Sequence, residues 1–366
     1  MMKILDRYIM RKFLTTFFFM MAIIMLLAMV FDLSERLGEF IDNQAPISGI
    51  VFSYYLNFIV YYGNLFSPMI IFVSVIWFTA KMAQDAEIIP ILNSGRTFGR
   101  FIRPYMIVAT LLMFMALILN HFVIPRSNAT RLDFEEKYYR DAMFIQNYHA
   151  EYPGNRTVYF SSYASDENVI NDFVVMQWDA SNTRMKYFLK ARTAQNVPGT
   201  NKWYLEDYYE RYVGYYKTQD SARNDRLIEG RMKDTLFDFN STEMVQRENA
   251  AEAMTYYELK EFIEREKAKG SGNVPMYEIE LYKRSSLPFA TYVLTVIGVS
   301  VSSRKRRGGI GVNIALGLLI IFIYIFAMQV TTVAALKVGF PANVAVWVPN
   351  VIFGAIAYFM YRIAQK

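Results

Sequence analysis

The chain contains no cysteine and only two histidines, His121 and His149. Disulfides, zinc thiolate sites and thiol nucleophiles are therefore excluded, and a histidine-based metal cluster is ruled out by number. Neither compartment nor redox state follows from those absences. A second lack concerns nucleotides: no Gly-x-x-x-x-Gly-Lys-Ser/Thr occurs, so the chain has no recognisable phosphate loop and any ATP dependence has to come from a partner. Gly308, Gly309, Gly311 and Gly317 lie between a basic cluster and an apolar run, where a turn followed by close helix packing accounts for them. A third lack is charge inside the apolar runs, whose centres hold no Asp, Glu, Lys, Arg or His. Ion-coupled carriers keep an ionisable group at mid-membrane despite its cost, so that mechanism is disfavoured.

What is present is segregated. Hydrophobic residues make up 54% of the 366, yet 39 basic and 33 acidic side chains remain, which requires a membrane part and a water-exposed part in one chain. The formal charge of +6 is not gathered into a basic, aromatic-interleaved stripe, and nucleic-acid binding is excluded on that ground. Six apolar runs stand at 13–31, 58–80, 101–124, 287–301, 310–336 and 344–361. Most approach the roughly 20 residues a helix needs to cross a hydrocarbon core of about 30 Å. The fourth is short and is expected to start near Tyr282, with Lys283 and Arg284 snorkelling outward. The N-terminal run is too long for a secretory signal and lacks a small-x-small cleavage site, so an uncleaved first span is expected. Asn57, Asn64, Asn120, Gln329, Asn343 and Asn350 read as helix-to-helix hydrogen-bonding groups. Pro68, Pro288 and Pro349 read as kinks or hinges.

Orientation follows from the short connections. Lys3, Arg7, Arg11 and Lys12, then Lys81, Arg96, Arg100 and Arg103, then Arg304 to Arg307, then Arg362 and Lys366 fall on one side when six spans are threaded in turn. The opposite loops are acidic or poor in charge. Both termini are thus expected in the cytoplasm, with residues 125–277 outside. That long insert changes period: 157–163, 172–178, 184–191 and 202–212 alternate and are rich in Val, Tyr, Phe and Trp, with turn signals such as Pro198-Gly199 between them. An antiparallel β sandwich or half-open jelly roll is expected. Helical approaches are expected at 126–143 and at 255–269, the latter opening on a Thr255-x-x-Glu258 capping box and ending at Gly270.

One connection carries more information than the rest. Lys81 to Arg100 holds a short amphipathic stretch followed by Ser94-Gly95 and basic residues. Such a segment lies on the bilayer or docks in a partner's groove. Asp85 and Glu87 favour a protein partner, because acidic groups gain little from an anionic lipid surface.

These residues resemble a known family, the lipopolysaccharide export permeases LptF and LptG. The resemblance runs from Leu5-Asp6-Arg7-Tyr8-Ile9 through Ala83-Gln84-Asp85-Ala86-Glu87 and Asn93-Ser94-Gly95 to Pro125, the 256–263 helix and the approach from Glu280 to Pro288. It implies a membrane α-helical fold of six transmembrane helices with an inserted periplasmic β-jellyroll domain. The division implied is 1–124 with a coupling helix at about 82–95, 125–277, and 278–366. It further implies a non-catalytic permease subunit in the inner membrane of a Gram-negative bacterium, without cofactor. Its partners would be an LptB-type ATPase dimer, a second LptF/LptG-type permease, LptC/LptA-like bridge proteins and lipopolysaccharide. Asp85, Glu87, Ser94, Gly95 and Arg96 would form the ATPase-coupling site, and Arg36 would face lipid phosphates, in a neighbourhood made acidic by Glu35 and Glu39. A membrane-anchored sensor or assembly scaffold with a ligand-binding β domain is the alternative, and it predicts that no ATPase co-purifies.

Overall fold

A computed structural model describes residues 4–140, 144–165, 168–181, 183–197, 200–214, 225–239, 248–304 and 309–365. Lys3, Met143, the Pro198-Gly199 turn, the cluster Lys305 to Gly308 and Lys366 lie outside them. Among the described residues, six helices are long and apolar enough to cross a membrane. They are α1 (Ile4–Asp42), α2 (Leu56–Gln84, entered through a π-helical stretch Gly49–Tyr55), α4 (Phe98–Ile118), α7 (Val274–Ser302), α8 (Gly309–Val338) and the pair α9 (Ala342–Ala345) and α10 (Val348–Ala364). The short α3 (Ile88–Asn93) joins α2 to α4. A π-helical turn at Leu119–Val123 carries α4 on into α5 (Ile124–Tyr138), the expected helical approach. The second approach is α6 (Tyr256–Ala268). At its start the Glu258 carboxylate accepts from Thr255 N at 2.8 Å and Thr255 Oγ1 accepts from Glu258 N at 3.5 Å. Gly270 follows it at φ +67°, the left-handed residue that ends a helix.

The chain divides into two compact units, one formed by 1–139, 251–260 and 275–366 and the other by 140–250 and 261–274. In the helical unit α2 is central. One side packs Ile71, Val75 and Phe78 against Ile9, Phe13 and Phe17 of α1 and Phe101, Tyr105 and Val108 of α4. The other packs Phe72 and Ile76 against Leu294 and Ile297 of α7, Ile321 and Tyr324 of α8, and Phe353 of α10. A Cβ on Gly298 would stand 3.0 Å from Val75 Cγ1 and 3.1 Å from Phe72 Cδ2, and one on Gly317 would run into Ile76. Glycine lets α7 and α8 approach α2 closely, as small residues do between membrane helices. The asparagines serve the same packing: Asn64 donates to Asn120 Oδ1 at 2.7 Å, Asn120 to the Arg284 carbonyl at 3.1 Å, and Asn350 to the Ser286 carbonyl at 2.8 Å while accepting from Tyr324.

Arg284 corrects an expectation. The fourth span begins at Val274, eight residues before Tyr282, and Arg284 does not snorkel: it is buried and donates to the Ala251 and Met254 carbonyls, each at 2.8 Å. A buried cation is stable only with such partners, and here they come from the short 3₁₀ helix Glu248–Ala253 and the residue after it.

In the other unit six strands form one antiparallel sheet, each paired with its neighbours in sequence: β1 (Phe144–Tyr152), β2 (Arg156–Ala164), β3 (Val169–Trp178), β4 (Met185–Asn196), β5 (Lys202–Tyr212) and β6 (Arg226–Leu236). Val158, Phe160, Phe173, Val175, Leu189, Trp203, Leu205 and Phe239 are buried as its apolar core, with the partly buried Phe237 packed against them. Pairing lapses along one line across the whole sheet, through Asn147, Ser161, Asp172, Arg192, Asp207 and Arg231. Asn147, Asp172 and Asp207 have φ of 53°, 50° and 47°, values that Asn and Asp tolerate better than other side-chain-bearing residues. Ser161 donates to Asp172 at 3.0 Å, and Arg192 pairs with Asp207 at 2.9 Å. The sheet is creased at this line.

Candidate functional site

The connection between α2 and α4 turns twice, and each turn is set by one residue of positive φ. Ala86 at φ +57° reverses the chain after α2, and Gly95 at φ +80° does so after α3. Gly95 has open space where a Cβ would stand, so its glycine serves conformation and not clearance. Thr97 caps α4, its hydroxyl accepting from Arg100 N at 3.3 Å. Between the turns only Ile88 is buried, seated with Met82, Ala83, Phe98 and Phe101. Asp85, Ile89, Pro90, Asn93, Ser94 and Gly95 are exposed, and Arg96 is half-buried. Ser94 donates to the Ile91 carbonyl at 2.8 Å. The predicted coupling residues therefore lie together on one short projecting element, whose exposed face mixes Ile89 and Pro90 with the Asp85 carboxylate.

Glu87 is not idle on that element. Its carboxylate accepts from Tyr8 at 3.0 Å and stands 3.5 Å from Lys12 Nζ, which donates to Tyr8 at 2.7 Å. Nearby, the buried Asp6 carboxylate takes Arg100 at 2.5 Å. Sequence reasoning missed both ties. The signal lay in Asp6, an acidic residue among basic ones, three, seven and eleven residues ahead of Ile9, Phe13 and Phe17 of the same helix; its burial with them places all four on one face.

Arg36 lies far along α1, its guanidinium 4.5 Å over the Tyr139 ring and 3.4 Å from Glu39. It is engaged within the helical unit and half-buried.

A second polar cluster had no sequence forecast. Arg131 of α5 is buried and bonded to Glu135 and to Asn128 Oδ1, the latter at 2.8 Å, with Glu252 at 3.9 Å and the Tyr61 ring at 4.9 Å. Burial, then the charge of Glu280, pushes the Glu252 carboxyl above its ordinary range. Next to it a cavity of about 180 Å³ is lined by Tyr61, Asn64, Glu252, Glu280 and Arg284. A wider apolar groove of about 580 Å³ runs between α1 and α2, lined by Phe18, Met21, Met25, Met29, Tyr55 and Ile59. Methionine suits a surface that must fit varied apolar shapes. Among the described residues no group of three or more His, Cys, Asp or Glu side chains is placed to hold a metal ion.

No individual curated protein matches the chain. A family model described as the lipopolysaccharide export system permease LptF/LptG matches residues 7–363, nearly the whole length. On that match the chain belongs to the LptF/LptG family of lipopolysaccharide export permeases.

Proposed function

We propose that this chain is one transmembrane permease subunit of an ATP-driven exporter that extracts lipopolysaccharide from the inner membrane and hands it to a periplasmic bridge. Hydrolysis belongs to an LptB-type ATPase dimer, and the chain pairs with a second LptF/LptG-type permease. Withdrawing a lipid from a bilayer costs about 0.8 kcal/mol per CH₂ exposed, so several acyl chains demand an external energy source. The observation that carries the reading is the projecting element 85–96: an exposed, partly apolar and acidic helix between two spans has the form of a docking element. The methionine-lined groove between α1 and α2 offers an apolar surface for acyl chains. The basic residues flanking the spans favour a cytoplasmic placement of both termini and of α3, and a periplasmic placement of the sheet. The transverse crease, with apolar core residues on both sides of it, supports the half-open jelly-roll reading of that sheet.

Gentle detergent purification of the tagged chain, followed by mass spectrometry of co-isolated subunits and lipids, tests this. An ATPase subunit and lipopolysaccharide are expected with the wild type. Glu87→Lys is expected to lose the ATPase while keeping the melting temperature of the isolated wild-type permease. Isolation of the wild type with no ATPase would overturn the proposal in favour of a sensor or scaffold.

A further inference from the structure

An element of six residues held between two turns cannot pass a displacement to the membrane by its own stiffness. Something must fasten it to a longer body. Three long helices meet it, and two are interrupted by proline, α2 at Pro68 and α4 at Pro104, where a helix loses a hydrogen bond and bends. The third, α1, runs 39 residues without proline, a rod of about 58 Å at 1.5 Å per residue.

The N-terminal turns of α1 are joined to the projecting element at one point and to the start of α4, which follows it, at another. Tyr8 and Lys12, one turn apart, both hold the Glu87 carboxylate where α3 begins. Asp6 holds Arg100, in the first turn of α4 just beyond the second turn of the connection. Between the two joints Ile9 and Phe13 are buried against Met82, Ile88 and Phe98. The Asp6 pair is the stiffer joint, its carboxylate side chain only 6% exposed, because a desolvated ion pair resists separation more than a solvated one. Farther along, the same rod supplies Phe18, Met21, Met25 and Met29 to the apolar groove.

We infer that Tyr8 and Lys12, which hold Glu87, and Asp6, which holds the start of α4 just beyond the element, are positioning residues that lock the docking element to α1, so that movement of α3 against a partner is delivered to the apolar groove by α1 as a rigid lever. This rests on the docking reading above and adds to it the route of transmission. Glu87 then has two tasks: both its carboxylate oxygens are held by α1, and its side chain stays about a third exposed, within reach of a partner.

The test uses the whole assembly in proteoliposomes, measuring lipopolysaccharide transferred to an acceptor, ATP hydrolysed, and ATPase retained on purification. For Asp6→Asn and for Tyr8→Phe, the ATPase is expected to stay bound and hydrolysis to continue, while lipid transferred per ATP falls about fivefold or more, the lower end of usual coupling energies. Asp6→Glu, which keeps the charge, is expected to recover most of that ratio. A merely structural role would lower all three measurements together. Tyr8→Phe removes one hydroxyl at an exposed site, so it keeps the test open should Asp6→Asn fail to fold. A wild-type ratio in the Tyr8→Phe assembly, or loss of the ATPase from it, would overturn the lever. Absence of ATPase from the wild type would instead sink the docking reading itself.

Discussion

Single residues decide two properties of the helical unit. Arg131 is enclosed by Glu135, Asn128 and the rings of Tyr61 and Tyr62, so Arg131→Ala leaves a buried carboxylate without its cation. The expected loss is about 3–5 kcal/mol, read as a lower melting temperature in detergent. Glu252 works in the opposite sense. Its carboxyl is pushed up by burial and by Glu280, against the smaller opposing effects of Tyr61, Asn128 and Arg131. The native state therefore holds that proton to higher pH than the unfolded chain does, and stability falls as pH rises from the ordinary carboxylate range through the raised value. Glu252→Gln is expected to raise the melting temperature at pH 7.5 and to leave it unchanged near pH 4. An equal shift at both pH values would show that the charge is not the cause. Neither residue was legible in the sequence, because Arg131 and Glu252 lie 121 positions apart and only tertiary packing brings them within 3.9 Å.

At the scale of elements, the apolar runs and the capping box were readable because each is local. Burial of the strands was readable only where both neighbours exist. The strands β2 to β5 alternate recognisably, whereas β1 and β6 are edges with mostly exposed side chains and so carry no apolar alternation. The crease escaped altogether, since nothing in a single strand announces that Asp172 and Asp207 lie on one line with Asn147. Asp207→Val is expected to cost about 1–2 kcal/mol, because a side chain branched at Cβ is strained at φ +47°, while Asp207→Gly relieves that strain and loses only the Arg192 pair. Thermal melts of the two variants separate these effects. The cap of α6 gives a pH signature of its own. Backbone and hydroxyl hydrogen bonds from Thr255 hold the Glu258 carboxyl below its usual range, so its contribution is full above the unfolded pKa and is lost as pH falls through the lowered one. Thr255→Ala is expected to speed amide exchange over 256–259, consistent with an N-cap worth about 1 kcal/mol.

For the whole molecule, family membership and six apolar helices make this a multi-pass inner-membrane transport subunit. The sequence made that class legible through composition and run length, and it pointed to the 85–96 element through amphipathicity. It concealed the joints to α1, which depend on a carboxylate at position 6 meeting a guanidinium at position 100. Lipid export by the proposed route requires the docking element and the sheet to lie on opposite sides of the membrane. Absence of cysteine allows that to be measured directly, with Ser94→Cys and Lys190→Cys, both at exposed positions, treated with an impermeant maleimide in spheroplasts. Labelling of Lys190→Cys in intact spheroplasts, and of Ser94→Cys only after permeabilisation, is the predicted result. Equal labelling of both from outside would contradict it.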